Sequence, residues 1–253
     1  MKIGAMQHVI KAKDDAELFS RASEMKLALE IVVPLDQPEA AAKYRGLSQK
    51  HGVPICSTCL GSHNNGGLAT WWRPVEETTC EAKFAIDFTR GLGAGVMLLP
   101  FFFANEPKGR AHRAVVAERL KPVCAYAEKA DVTIAFEGVL PADLMIEMID
   151  EVNSPAFGVY YDVANATWCD FDPIAEVTLL GKHVKQIHIK DADVFTGDVH
   201  PGKGRVNWPA YRDALRSIGY DGWMVLETPS GEPSVVAKDV QFVKETFDLS
   251  LSR

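Results

Sequence analysis

The chain has 253 residues, 47% hydrophobic and 24% charged, with a formal net charge of −7. That is enough apolar material for one large core, while no apolar run reaches the roughly 18 residues of a membrane span. The acidic balance disfavours nucleic-acid backbones, and Met1-Lys2-Ile3-Gly4-Ala5-Met6 lacks a leader pattern, so the expectation is one cytoplasmic domain over 1–253 with a small-molecule partner, no nucleic acid and no membrane.

Short β-branched or apolar runs alternate with helical-period stretches along the whole chain. In order, the pattern predicts strand 2–6, helix 14–25, strand 27–33, helix 38–50, strand 53–59, helix 76–92, strand 95–100, helix 110–130, strand 133–137, helix 142–151, strand 158–162, helix 173–180, strand 185–190, helix 208–217, strand 223–227 and helix 234–248. Asp14 and Ser234 suit helix caps, Pro38 and Pro173 suit first turns, and Gly52, Gly93 and Gly219 follow helices as stops. Eight strand-helix units in sequence predict an α/β fold, a (β/α)8 TIM barrel, with an open doubly wound sheet as the alternative. The longest irregular segment, 61–75, follows the third strand and holds Trp71 and Trp72.

Five cysteines, an odd number, fit free thiols in a reducing compartment. Cys56 and Cys59 have C-x-x-C spacing but lie inside a predicted strand, which reads as packed thiols and not as a redox turn or zinc site.

In such a barrel the chemistry sits at the C-terminal strand ends. The fifth strand ends in Glu137, the sixth in Asp162 and the eighth in Glu227, while the seventh carries His188. Taken singly, each is an ordinary polar strand end meeting solvent. Together on consecutive strands, three clustered carboxylates need a cation to offset burial and mutual repulsion. Three carboxylates with one imidazole suit one divalent metal, Mn2+ first, with Mg2+, Co2+ or Zn2+ as alternatives.

The pieces Ala135-Phe136-Glu137, Tyr160-Tyr161-Asp162-Val163-Ala164-Asn165, Ile187-His188-Ile189-Lys190-Asp191, Gly202-Lys203-Gly204 and Val225-Leu226-Glu227-Thr228 are together similar to the sugar phosphate isomerase/epimerase superfamily of xylose-isomerase-like TIM barrels. Ketose 3-epimerases, hydroxypyruvate isomerase, inosose isomerase and endonuclease IV share that scaffold. The resemblance implies that Glu137, Asp162, His188 and Glu227 hold one metal and that Glu137 and Glu227 are also the acid/base pair. It implies a metal-dependent isomerase or epimerase of a small keto-sugar, hydroxyketone or keto-cyclitol, moving a proton α to a carbonyl through a metal-stabilised enediolate. A carbohydrate substrate and a homo-oligomer follow as family expectations. The alternatives are an inosose-dehydratase-like lyase, an endonuclease-IV-like phosphodiesterase, which this acidic, histidine-poor chain disfavours, and a non-catalytic sugar sensor.

Ketose 3-epimerases carry a histidine three residues after the strand-six aspartate, where this chain has Asn165. Asn165 can still hydrogen-bond a substrate hydroxyl. The other candidate substrate contacts are Glu30, His63, Lys190, Asp191, His200, Lys203 and Arg205, each with a plainer reading as an ion pair, loop or turn residue. Gly202-Lys203-Gly204 with Arg205 reads either as a phosphate cradle or as a tight turn into the helix at Trp208. His8 follows the first strand, and Trp71, Trp72, Phe101, Phe102 and Phe103 follow the third and fourth, as lid, sugar-stacking or oligomer residues.

Overall fold

The computed structural model describes residues 1–193 and 197–249. Strands β1 (Lys2–Met6), β2 (Ala28–Val32), β3 (Ile55–Cys59), β4 (Val96–Phe101), β5 (Thr133–Gly138), β6 (Phe157–Asp162), β7 (Val184–Ile189) and β10 (Trp223–Leu226) form a closed parallel barrel in the order β1-β10-β7-β6-β5-β4-β3-β2. The closed order excludes the open sheet. Helices lie between the strands: α1 (Asp15–Met25), α2 (Ala40–His51), α3 (Val75–Gly91), α4 (Arg110–Ala130), α5 (Ala142–Val152), α6 (Val163–Trp168), α7 (Pro173–Leu180), α8 (Trp208–Ser217) and α9 (Pro233–Thr246). A separate antiparallel pair, β8 (Asp191–Asp193) with β9 (Gly197–Val199), follows β7. No helix among the described residues is long and apolar enough to cross a membrane.

The backbone packs as two compact units. The first comprises residues 1–30, 47–54 and 161 onward. In it β1 pairs with β2 on one side and β10 on the other, and β10 pairs with β7, so that Gly4, Val225 and His188 lie in one row and Met6 lies opposite Glu30. Its buried apolar side chains include Phe19, Ile187, Ile189, Leu226 and Tyr211. The second unit comprises 31–46 and 55–160. There β4 pairs with β5 in a register that sets Leu99 opposite Phe136 and Pro100 opposite Glu137, and Phe101 stacks on Phe136 with centroids 4.8 Å apart.

The helix starts explain much of this placement. Asp14 caps α1 by accepting the Glu17 N–H at 2.9 Å, while the Lys13 N–H donates to the Glu17 carboxylate at 2.8 Å, two bonds that close the first turn reciprocally. Asp172 caps α7 with Pro173 in the first turn, where its missing N–H costs nothing. Ser234 does not cap α9: Glu232 stands at the boundary and Pro233 takes the first turn. Cys56 and Cys59 are buried free thiols on β3, and an odd spacing on a strand turns them to opposite faces.

Two elements carry no hydrophobic period long enough to be seen in the sequence. One is the six-residue α6, and the other is the β8–β9 hairpin, both in stretches that read as loop. Both lie beside the candidate site.

Candidate active site

Asp162 is the last residue of β6 and the N-cap of α6 at once. Its Oδ1 accepts the Ala164 N–H at 2.8 Å and the Asn165 N–H at 2.9 Å, which locks the carboxylate plane. The other oxygen, Oδ2, is buried without a hydrogen-bond partner. Burial pushes the Asp162 carboxyl up from its ordinary range, and Lys190 opposes that push.

His188 is wholly buried in β7. Its Nε2 lies 3.3 Å from Oε1 of Glu30, itself 0% exposed near the end of β2, while Nδ1 lies 3.1 Å from Oε2 of Glu227 and 4.0 Å from Oδ2 of Asp162. A carboxylate only accepts, so a ring proton on Nε2 would be donated to Glu30 and one on Nδ1 to Glu227. A metal on Nδ1 would leave the proton on Nε2, facing Glu30.

Glu227 follows β10 and continues its ladder by one bond, its N–H donating to the Ile189 carbonyl at 3.1 Å. Lys190, next after β7, donates from Nζ to Oε2 of Glu227 at 2.9 Å and lies 3.2 Å from Oδ2 of Asp162 and 3.2 Å from Oδ2 of Asp198. Glu137 is buried near the end of β5. One ligand atom from each of Glu137, Asp162, His188 and Glu227 lies within 4.8 Å of all the others. These residues fit a divalent ion by their donor set: three carboxylates and one imidazole converge with, among the described residues, a single ammonium, that of Lys190, against the oxygens of Asp162 and Glu227, and Asp162 Oδ2 makes no hydrogen bond.

The remaining candidates divide. His8, after β1, is exposed; partial desolvation lowers its pKa, and it feels the charges of Glu227, His188, Glu30 and Lys190. Asn165 is half-buried on α6, one turn from Asp162. Asp191 is wholly buried and its carboxylate is spent on the loop: Oδ1 accepts the Ala192 and Val206 N–H groups, and Oδ2 accepts the Gly202 N–H and Trp208 Nε1–H, all between 2.9 and 3.0 Å. Gly204 must lack a side chain here, because a Cβ would stand 2.3 Å from both the Ala192 carbonyl and Asp191 Oδ1.

Those bonds decide the reading of Gly202-Lys203-Gly204. The Gly202 N–H goes to Asp191, the Lys203 N–H to the His200 carbonyl and the Arg205 N–H to the Ala192 carbonyl, so this is a tight turn whose N–H groups point into the protein. The Arg205 side chain bonds the Thr167 carbonyl at 3.1 Å and Asp170 at 3.4 Å. Lys203 and His200 line a cavity of about 540 Å³ with Val235, Lys238 and Phe242, and none of Glu137, Asp162, His188 and Glu227 lines it. His200 Nδ1 bonds Asp239 at 2.8 Å, and Asp239 accepts the Thr228 hydroxyl at 3.0 Å.

His63 lies in a 3-10 helix (Gly61–Asn65) after β3, not in an open loop. It is buried, its Nδ1 bonds the Pro100 carbonyl at 2.8 Å, its Nε2 accepts the Leu68 N–H at 2.9 Å, and burial lowers its pKa to about 4. Of the aromatics nearby, Phe101 is core, while Trp71 and Phe103 are 85% and 82% exposed.

Sequence reasoning missed Asp239 and Trp208, and marked Asp198 only as a neighbour of His200. Asp239 left a signal, a charge within the apolar α9 stripe Val236, Val240, Val243; Trp208 left none, since its bond is to a residue 17 positions away.

The decisive comparison is with the xylose isomerase-like TIM barrel family, whose model matches residues 16–246. The chain belongs to that family. It is 28% identical over 166 residues to a 2-epi-5-epi-valiolone 7-phosphate 2-epimerase of Actinoplanes sp., covering 65% of this chain and 60% of that relative's own length. It is 27% identical over 208 residues to an L-ribulose-5-phosphate 3-epimerase, UlaE, of Escherichia coli, covering 76% of this chain and 72% of the relative. Its fold superposes on the crystal structure of a D-allulose 3-epimerase from Methylomonas sp. with a TM-score of 0.81 at 16% identity, over 97% of this chain and 98% of that one.

Proposed function

We propose that this family member acts as a one-domain sugar isomerase or epimerase, dependent on one divalent metal held by Glu137, Asp162, His188 and Glu227, with Mn2+ first. The observation that carries the reading is the convergence of those four ligand atoms within 4.8 Å, two of them on glutamates from different strands. A bound ion would supply Lewis acidity at two adjacent substrate oxygens. The chain's own residues do the rest. One of Glu137 and Glu227 takes the proton from the carbon α to the carbonyl, and the other returns one. Return to the opposite face of the same carbon epimerises, whereas return to the neighbouring carbon isomerises. With a metal on Nδ1, Glu30 would accept the His188 proton from Nε2, and the α6 cap keeps Asp162 Oδ2 turned toward the cluster. The names of the relatives support a keto-sugar, a keto-cyclitol or their phosphates as substrate class.

The test is incubation of Mn2+-loaded protein with a panel of ketoses, keto-cyclitols and their phosphates in D2O, read by NMR and mass. Deuterium entering a carbon-bound position without loss of water supports the reading and names the substrate class. No exchange with any member, despite a bound metal, sinks it.

A further inference from the structure

The Lys190 ammonium stands closer to the ligand oxygens than the proton-transfer reading requires. It lies 2.9 Å from Oε2 of Glu227, the atom that faces His188 Nδ1, and 3.2 Å from Oδ2 of Asp162, the atom that the α6 cap leaves over. Its own side chain is only 6% exposed. A buried ammonium of this kind is tolerated only against carboxylates, and buried carboxylates in turn need a positive partner. We propose that Lys190 is a resident counter-cation of the ligand cluster, which shares the metal's oxygens, offsets part of the cluster's negative charge without an ion, and weakens its grip on a divalent ion so that the ion exchanges.

The argument is electrostatic and steric. Each carboxylate oxygen has lone pairs enough for an ammonium and an ion together. Two cations sharing an oxygen, however, sit about 4 Å apart and repel in a poorly hydrated pocket. Asp198 relieves that repulsion. It lies on β9, its side chain is 55% exposed, and its Oδ2 is 3.2 Å from the same Nζ, so it draws the ammonium away from the cluster when an ion enters. A lysine placed only to brace the fold would need neither contact with the ligand oxygens nor a carboxylate on its far side.

The proposal rests on the metal-site reading, and its test separates the two. Wild type, Lys190→Met, Lys190→Arg and Asp198→Asn are stripped with chelator, dialysed, and titrated with Mn2+ by calorimetry near neutral pH, with thermal melts in both states. Lys190→Met binds Mn2+ about tenfold more tightly or better, given the charge removed, melts lower without metal, and gains more on Mn2+ addition. Lys190→Arg restores wild-type affinity, and Asp198→Asn weakens binding by leaving the ammonium no charged partner on its far side.

Folded Lys190→Met that binds Mn2+ no more tightly than wild type overturns the proposal and leaves the metal site standing. Absence of Mn2+ binding by both overturns the two together, whereas binding by Lys190→Met alone supports this one in its strongest form. Where Lys190→Met folds only with metal, it is purified in Mn2+ and the ion's release to a fluorescent chelator is timed. Slower release than wild type supports the proposal, and equal or faster release overturns it.

Discussion

Glu30 Oε1 sits 3.3 Å from Nε2 of His188, joining the end of β2 to β7 inside the barrel. Both groups are buried, and an Nε2 proton donated to Glu30 would leave Nδ1 to bind a metal. Glu30→Gln is expected to let the ring take either tautomer and to lower Mn2+ affinity about 10–100-fold. Calorimetric titration checks it, and unchanged affinity would show that Glu30 does not orient the ligand.

Glu137→Gln and Glu227→Gln each keep the side-chain shape while removing the proton acceptor. Turnover in either should drop by about 10²–10⁴ or more, with circular dichroism unchanged. The measurement is solvent-deuterium exchange into the substrate found in the panel; near-full activity in either variant removes that glutamate from the acid/base pair.

Asp191 holds four donors, and Asn in its place would set an NH2 against two of them. Buried donors left unpaired cost about 1–3 kcal/mol each, so Asp191→Asn should lose roughly 3 kcal/mol in urea unfolding and shift Trp208 emission as its indole N–H is freed. Gly204→Ala should damage the same turn through the close approach of its Cβ to Asp191 and the Ala192 carbonyl. Wild-type stability in both would show that the turn is held elsewhere.

His63 makes acid stability measurable. Its folded pKa of about 4 lies below the unfolded 6.5, so between these values the unfolded chain binds a proton that the folded chain does not. The contribution is whole above pH 6.5 and is lost as pH falls toward 4, a loss of about 3 kcal/mol. Urea unfolding at neutral pH and at about pH 4.5 should show a smaller drop in His63→Gln than in wild type. Equal drops would place the acid sensitivity in other groups.

The strand-helix rhythm was readable because the 2-residue and 3.6-residue periods are local properties, and the structure keeps all eight barrel strands within two residues of the expected bounds. The four candidate ligand residues were readable for a related reason: a polar residue closing an apolar strand marks the barrel's C-terminal end whatever its partners. Roles that depend on partners were not readable. Lys190 and Asp191 are adjacent in sequence and look alike as strand-end charges, yet one meets the ligand oxygens and the other is consumed by four donors of its own loop. Glu30 stood out as a charge in an apolar run, but its partner is 158 residues away. The capping of α6 by Asp162 hid in six residues that lack a period of their own.

Alternation of apolar and polar residues, set by backbone periodicity alone, thus determined the barrel, its strand ends and the four ligand candidates. Closure of the barrel decided the rest: which carboxylates flank His188, which oxygen of Asp162 is left over, and that His63, Asp191 and Arg205 serve loops. Hydrogen bonds between distant strands depend on three-dimensional distance, and distance is the one quantity that a linear order of residues does not contain.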